Sequence, residues 1–241
     1  MSAMAKITGT GDAPQSLVDT VADKVVDHIR TNALAPGAPL PSESAFAVEA
    51  GASRAVAREA FRSLAALRLI DVGNGRRARV APADGSAIGR MIDHCVYTNQ
   101  LSIQQIFDVR RTIELRTAAL ASLRRSDQEA DEICAIADRM KRSFAATGDV
   151  MELDISFHAA VARASRNPLF ALLITSFASV TRQNWAIGWA ARPTDAERMG
   201  SIEGHGAIAV AIRRGDARAA EKAMADHFDL TVRALLTAGV I

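Results

Sequence analysis

Residues 51–81, GASRAVAREAFRSLAALRLIDVGNGRRARVA, read as a glycine turn, a helix and a β-hairpin in immediate succession. Gly51 breaks the chain, and Ser53 caps a helix running to about Leu67. With Arg54 as origin and 100° per residue, Arg58 lies at about 40° and Arg62 at about 80°. Val56, Ala57, Ala60, Leu64 and Leu67 fall between about 200° and 300°. The arginines therefore stand opposite the stripe that docks on a core. Leu69–Val72 and Arg77–Ala81 read as two short strands joined by Gly73-Asn74-Gly75-Arg76, where Asn-Gly favours a hairpin turn.

Charge follows the same stretch. Arginines 54, 58, 62, 68, 76, 77 and 79 face only Glu59 and Asp71, a local +5 in a chain whose formal net charge is +2. A basic segment on an otherwise slightly acidic protein suggests a polyanion partner. The plainer account is a solvated basic face. Against it stands the order of elements: such a helix can enter a major groove while Arg76, Arg77 and Arg79 meet the neighbouring backbone or minor groove.

Working outward, Leu17, Val21, Val25 and Ile29 mark an amphipathic helix over Ser16–Thr31. Residues 35–41 contain three prolines and cannot be helical. Ser42 then caps a short helix from Glu43 to Ala50. Together these predict a winged helix-turn-helix over residues 16–82, preceded by a disordered polar tail at residues 1–15. Pro82–Ser86 reads as a linker. Beyond it, residues 86–238 show helical periodicity in seven segments: Ala87–Asn99, Ser102–Arg125, Asp127–Ala146, Val150–Ser165, Pro168–Ala190, Thr194–Arg214 and Ala217–Thr237. Punctuation such as Asn167-Pro168 and Arg192-Pro193 separates them. The expected fold is mostly α, a winged helix-turn-helix plus an all-α antiparallel bundle of seven helices.

Composition agrees. Apolar residues make up 49% of the chain and aromatics 5%, which favours helix over sheet. Cys95 and Cys134 form no CxxC pair and read as reduced thiols. The first fifteen residues lack the apolar run of a signal peptide, and nothing reaches about 18 uninterrupted apolar residues. A cytoplasmic protein without membrane association is expected.

Asp154 and His158 are four apart and share a helix face. His205 and His227 fall on apolar stripes of two further helices. A single such histidine is best read as a hydrogen-bonded core residue. Three with an aspartate make convergence on a divalent cation more economical, Zn²⁺ best, with Ni²⁺, Mn²⁺ and Fe²⁺ as alternatives. Arg110, Glu114 and Thr117 also share one face. Arg110 can receive a carboxylate beside a metal, or it can simply bridge to Glu114 across a turn. Asn184 and Arg182 are weaker candidates for such a pocket. Trp185 and Trp189 read as core or dimer contacts, and His28 and His94 as facing solvent or an interface.

Leu40-Pro41-Ser42-Glu43, with Gly51-Ala52-Ser53-Arg54 and Val56-Ala57-Arg58-Glu59-Ala60, resembles the signature of GntR-type regulators. The helical part resembles the FCD domain of that family's FadR branch, so the likeness runs from about Leu17 to Leu236. It implies operator contacts at the positions of Arg54, Arg58 and the wing tip Asn74-Gly75. Ser42, Glu43, Ser53 and Arg76 complete the expected DNA-facing set. One departure stands out: the family has Arg where this chain has Ser44, so one operator contact is missing or replaced. In the helical part Asp154 and His158 match a DxxxH element, His205 follows Glu203-Gly204, and His227 lies near the end. Asn167 and the run from Arg110 to Glu114 also match.

The resemblance implies a homodimeric regulator, expected to repress, that holds a palindromic double-stranded DNA operator and senses a small carboxylate or sugar acid. Arg110, Glu114 and Asn184 form the expected effector contacts. Two alternatives remain open: a regulator whose effector is the cation itself, and a metalloenzyme in which the cation activates water. The second leaves the basic winged segment unexplained, and no general base stands out for it.

Overall fold

The computed structural model describes residues 16–73, 76–144, 147–237 and 239. The expected N-terminal tail and the wing tip Asn74-Gly75 lie outside the described residues. The chain divides into two compact units, with the boundary between Ala83 and Asp84.

The first unit has helices α1 (Leu17–Thr31), α2 (Glu43–Glu49) and α3 (Arg54–Ala66), then strands β1 (Ile70–Asp71) and β2 (Arg79–Val80). Each helix begins at a serine whose hydroxyl accepts from a first-turn amide: Ser16 from Asp19, Ser42 from Ala45 and Ser53 from Val56. Gly51, at φ +63°, makes the tight turn between α2 and α3. The strands pair antiparallel, Ile70 with Val80 and Asp71 with Arg79. The proline-rich segment adds a third line of pairing, because Leu40 N donates to Ala78 O and Val80 N to Ala38 O. Val21, Val25, Phe46, Phe61, Leu64 and Ile70 fill the core. Phe61 lies 5.8 Å from Phe46, ring centre to ring centre.

The second unit contains eight helices among the described residues: α4 (Ser86–Tyr97), α5 (Ile103–Arg124), α6 (Asp127–Arg142), α7 (Thr147–Ala164), α8 (Pro168–Ser176), α9 (Ala178–Ala190), α10 (Asp195–Arg214) and α11 (Ala217–Thr237). Helix α5 is central and packs against α7, α8, α10 and α11. It therefore buries Arg110, Glu114 and Thr117 along with its alanines.

The expected single helix over Pro168–Ala190 is two helices, divided at Phe177, so the count is eight rather than seven. Helix α4 crosses at the break, and its backbone comes so close that a Cβ on Gly89 would stand 2.8 Å from Ser176 O. One on Gly85 would stand 2.7 Å from Leu172 O. Glycine is needed at this crossing. Gly89→Ala is expected to destabilise the protein by about 1–2 kcal/mol, since the overpacking outweighs the gain in helix propensity. Gly200→Ala, in the interior of α10 where a Cβ meets nothing within 4 Å, should instead stabilise by up to about 1 kcal/mol. Thermal melts of the two variants should move in opposite directions; a melt raised by Gly89→Ala would refute the close-approach account.

Candidate functional site

In the first unit, α3 buries Ala57, Ala60, Phe61 and Leu64 and leaves Arg54, Arg58 and Arg62 exposed on the other side. None of these three arginines makes an ion pair among the described residues. Leu67, expected in the docking stripe, is 60% exposed because the helix ends before it, and Phe61 fills the core instead. Ser42 and Ser53 are spent on capping, which fixes where α2 and α3 begin. Glu43 is half-buried in the first turn of α2. Arg76 and Arg77 are exposed. Arg79 donates to Gly37 O at 2.6 Å and Arg68 to Asp71 at 3.1 Å, so these two partly serve the fold. A helix carrying exposed guanidinium groups along one face, beside a basic hairpin, can meet a phosphate backbone and the base edges in its groove.

In the second unit, a cavity of about 90 Å³ lies among α5, α7, α9, α10 and α11. Its walls include Arg110, Phe107, Thr181, Asn184, Trp185 and Trp189, with Asp154, His158, His205 and His227 at one side. Those last four are all buried and offer ligand atoms within 4.8 Å of one another. His205 Nδ1 lies 3.0 Å from Ser201 O and donates to it, which turns Nε2 toward Asp154 Oδ1, also at 3.0 Å. His158 Nδ1 lies against Glu114 Oε2, and its Nε2 stands 3.8 Å from the same Asp154 oxygen. A cation there would satisfy Oδ1 and both Nε2 atoms at once. His227 Nδ1 is buried without a hydrogen-bond partner among the described residues. Its ring centre is 4.3 Å from that of His205.

Electrostatics hold Asp154 and His227 in their ligating forms, while Glu114 draws a proton onto His158. Burial opposes ionisation of Asp154, but the His205 hydrogen bond and the surrounding imidazoles hold its carboxyl well below the usual carboxylate range. Burial, reinforced by the neighbouring histidines, pushes His227 well below the usual histidine range, so it stays neutral. Burial works against charge on Glu114 too, yet His158 and Arg110 hold it ionised. Burial likewise opposes charge on His158, and Glu114 overcomes it to raise the pKa. Glu114, 1% exposed, thus ties Arg110 (Nε to Oε1, 2.9 Å) to a ring of the cluster and does not itself line the cavity. Such outer carboxylates orient ligating histidines and raise their basicity.

Of the two roles the sequence left open for Arg110, the structure shows the bridge. It bridges to Glu114, and it lines the cavity with Nη1 donating to Thr181 at 3.1 Å. Asn184 also lines the cavity, its amide donating to Val180 O. Arg182 does not; it pairs outside with Glu152 through two hydrogen bonds. Trp185 and Trp189 stack at 5.6 Å and form a cavity wall, not merely core. His28 packs edge-on against Phe46, and His94 is exposed. Asn167 caps α8 by accepting from Leu169 N. No helix among the described residues is long and apolar enough to cross a membrane.

Comparison with known proteins adds a second line. The FCD domain matches residues 105–230, and the gntR family of bacterial regulatory proteins matches residues 17–80. The HTH-type transcriptional regulator LutR of Bacillus subtilis is 28% identical over 83% of this chain and 92% of its own. The galactonate operon transcriptional repressor of Escherichia coli is 30% identical over 78% of this chain and 83% of its own. Among solved structures, a Streptococcus agalactiae GntR protein superposes with a TM-score of 0.67 over 90% of this chain and 99% of that one, at 24% identity.

Proposed function

The chain belongs to the gntR family of bacterial regulators and carries an FCD domain, and we propose that this domain is a metal-assisted receptor for a small organic acid that controls operator binding. The protein is a DNA-binding transcriptional regulator, not an enzyme. Arg54 and Arg58 read the operator, with Arg76 and the Asn74-Gly75 wing tip alongside and Ser42, Glu43 and Ser53 setting the approach. The protein acts as a homodimer on a palindromic site, as two-fold operators mirror two-fold proteins. Relatives named as repressors support repression as its mode.

One observation carries the receptor reading: four buried donors converge on the wall of the same cavity that Arg110 enters. Asp154, His158, His205 and His227 would hold the cation, and three imidazoles with one carboxylate suit Zn²⁺ best. When bound, the cation supplies a positive point for one carboxylate oxygen. Arg110 gives the second oxygen a charge-assisted donor, and Glu114 keeps that guanidinium in place. Asn184 adds a polar contact, and the tryptophans exclude water. The galactonate relative, named for a sugar acid, points to the same ligand class.

The test is metal analysis of the purified protein, followed by titration of its operator complex with sugar acids and short carboxylates. About one divalent ion per chain is expected, with acid weakening DNA binding only in the loaded protein. Failure to take up any ion would refute the reading. A full response to the cation alone, with acids adding nothing, would make the cation the effector.

A further inference from the structure

Arg192, just after α9, also lines the cavity and is 9% exposed. Its Nη1 donates to Gly188 O at 2.6 Å and its Nη2 to Thr231 Oγ1 at 3.1 Å. Both acceptors are neutral, and no carboxylate lies within ion-pair distance of it among the described residues. Arg110 is different, because Glu114 meets its charge at 2.9 Å. The carboxylates that act on Arg192 through space are Asp154, already shared by two imidazoles, and Glu197, which caps the start of α10. A buried guanidinium whose charge is left without an anion is costly, and the open side of Arg192 is the cavity.

The two guanidinium groups stand at different heights on α9. Arg110 bonds Thr181 and Arg192 bonds Gly188, seven residues further along, which is about 10 Å of helix. A charge-assisted hydrogen bond occupies about 2.8 Å at each end. About 4–5 Å is then left between the two carboxylate oxygens that meet the donors, the reach of a three- to four-carbon diacid. A cavity of about 90 Å³ suits a ligand of that size. We propose that the cavity takes a short dicarboxylate, one end held beside Arg110 and the histidine cluster and the other by Arg192. This rests on the acid-receptor reading above and adds to it a second anion subsite with its own residue.

The experiment is calorimetric titration of metal-loaded full-length protein with length-matched pairs, succinate against butyrate and malonate against propionate. In the wild type the diacid of at least one pair should bind tenfold or more tighter than its monoacid. Arg192→Gln should bring that diacid down to the monoacid's affinity and leave the monoacid within about twofold. Arg192→Lys, which keeps the charge but loses the fork, should fall between. Equal affinities of diacid and monoacid in the wild type would overturn the second subsite and leave the acid receptor standing. Binding of none of the four acids, with sugar acids also inert, would overturn the receptor and this subsite with it. The wild-type comparison decides the matter even if an Arg192 variant fails to fold.

Discussion

Replacing Arg54 and Arg58 together by alanine should abolish specific operator binding while leaving the melting temperature almost unchanged. Both side chains are exposed, lie opposite the buried Ala57, Ala60, Phe61 and Leu64, and form no ion pair among the described residues. The fold therefore loses little when they are cut back. DNA loses much: a bidentate base contact contributes about 1–3 kcal/mol, so two contribute about 2–6 kcal/mol per domain. In a two-fold complex the effect is felt twice. The salt dependence of residual binding should flatten as well, because fewer phosphates are neutralised. Fluorescence anisotropy with a labelled operator, across a salt series, measures both. Wild-type affinity in the double variant would remove α3 as the recognition helix.

The second large effect concerns the histidine cluster. His205→Ala with His227→Ala removes two of four donors, taking one from α10 and one from α11. Metal uptake should fall by at least about a thousandfold, given the 10–16 kcal/mol typical of closed four-ligand sites. Operator binding should persist but no longer respond to acid, since an effector shifts an equilibrium only by its differential affinity for the two states. Arg110→Ala should give the same unresponsive phenotype while the metal stays bound. Mass spectrometry under native conditions and an operator titration in the same buffer separate these outcomes. Full metal occupancy in the double histidine variant would discard the ligand set.

How much of this was legible in the sequence depended on whether the cause was local. The α3 stripe follows a 3.6-residue period, so its polar and basic faces could be assigned from spacing alone. Even there Phe61 escaped, because its place in the core is set by Phe46 on another helix. Asp154 and His158 were visible as one helix face, and His205 and His227 as polar intrusions on apolar stripes. The break at Phe177 had no local mark; α4 passes close beside it through Gly85 and Gly89. The pairing of residues 38–40 with the hairpin was hidden for the same reason, as prolines announce only what a segment cannot be. Arg192 read as mere punctuation before Pro193. Nothing in one dimension distinguishes a guanidinium that ends a helix at the surface from one turned into a cavity.

Glu114 gives the proposed sensor a property that neither ligand alone would have. One carboxylate grips Arg110 through Oε1 and His158 through Oε2, so the two halves of the receptor lean on a shared anion. A change at either half alters the charge offered to the other. Linkage makes such coupling reciprocal: the factor by which the cation strengthens acid binding is the factor by which the acid strengthens cation binding. In the proposed receptor, scarce divalent metal would be recruited with the help of the acid. A regulator built this way would answer to acid and metal together, as a coincidence detector.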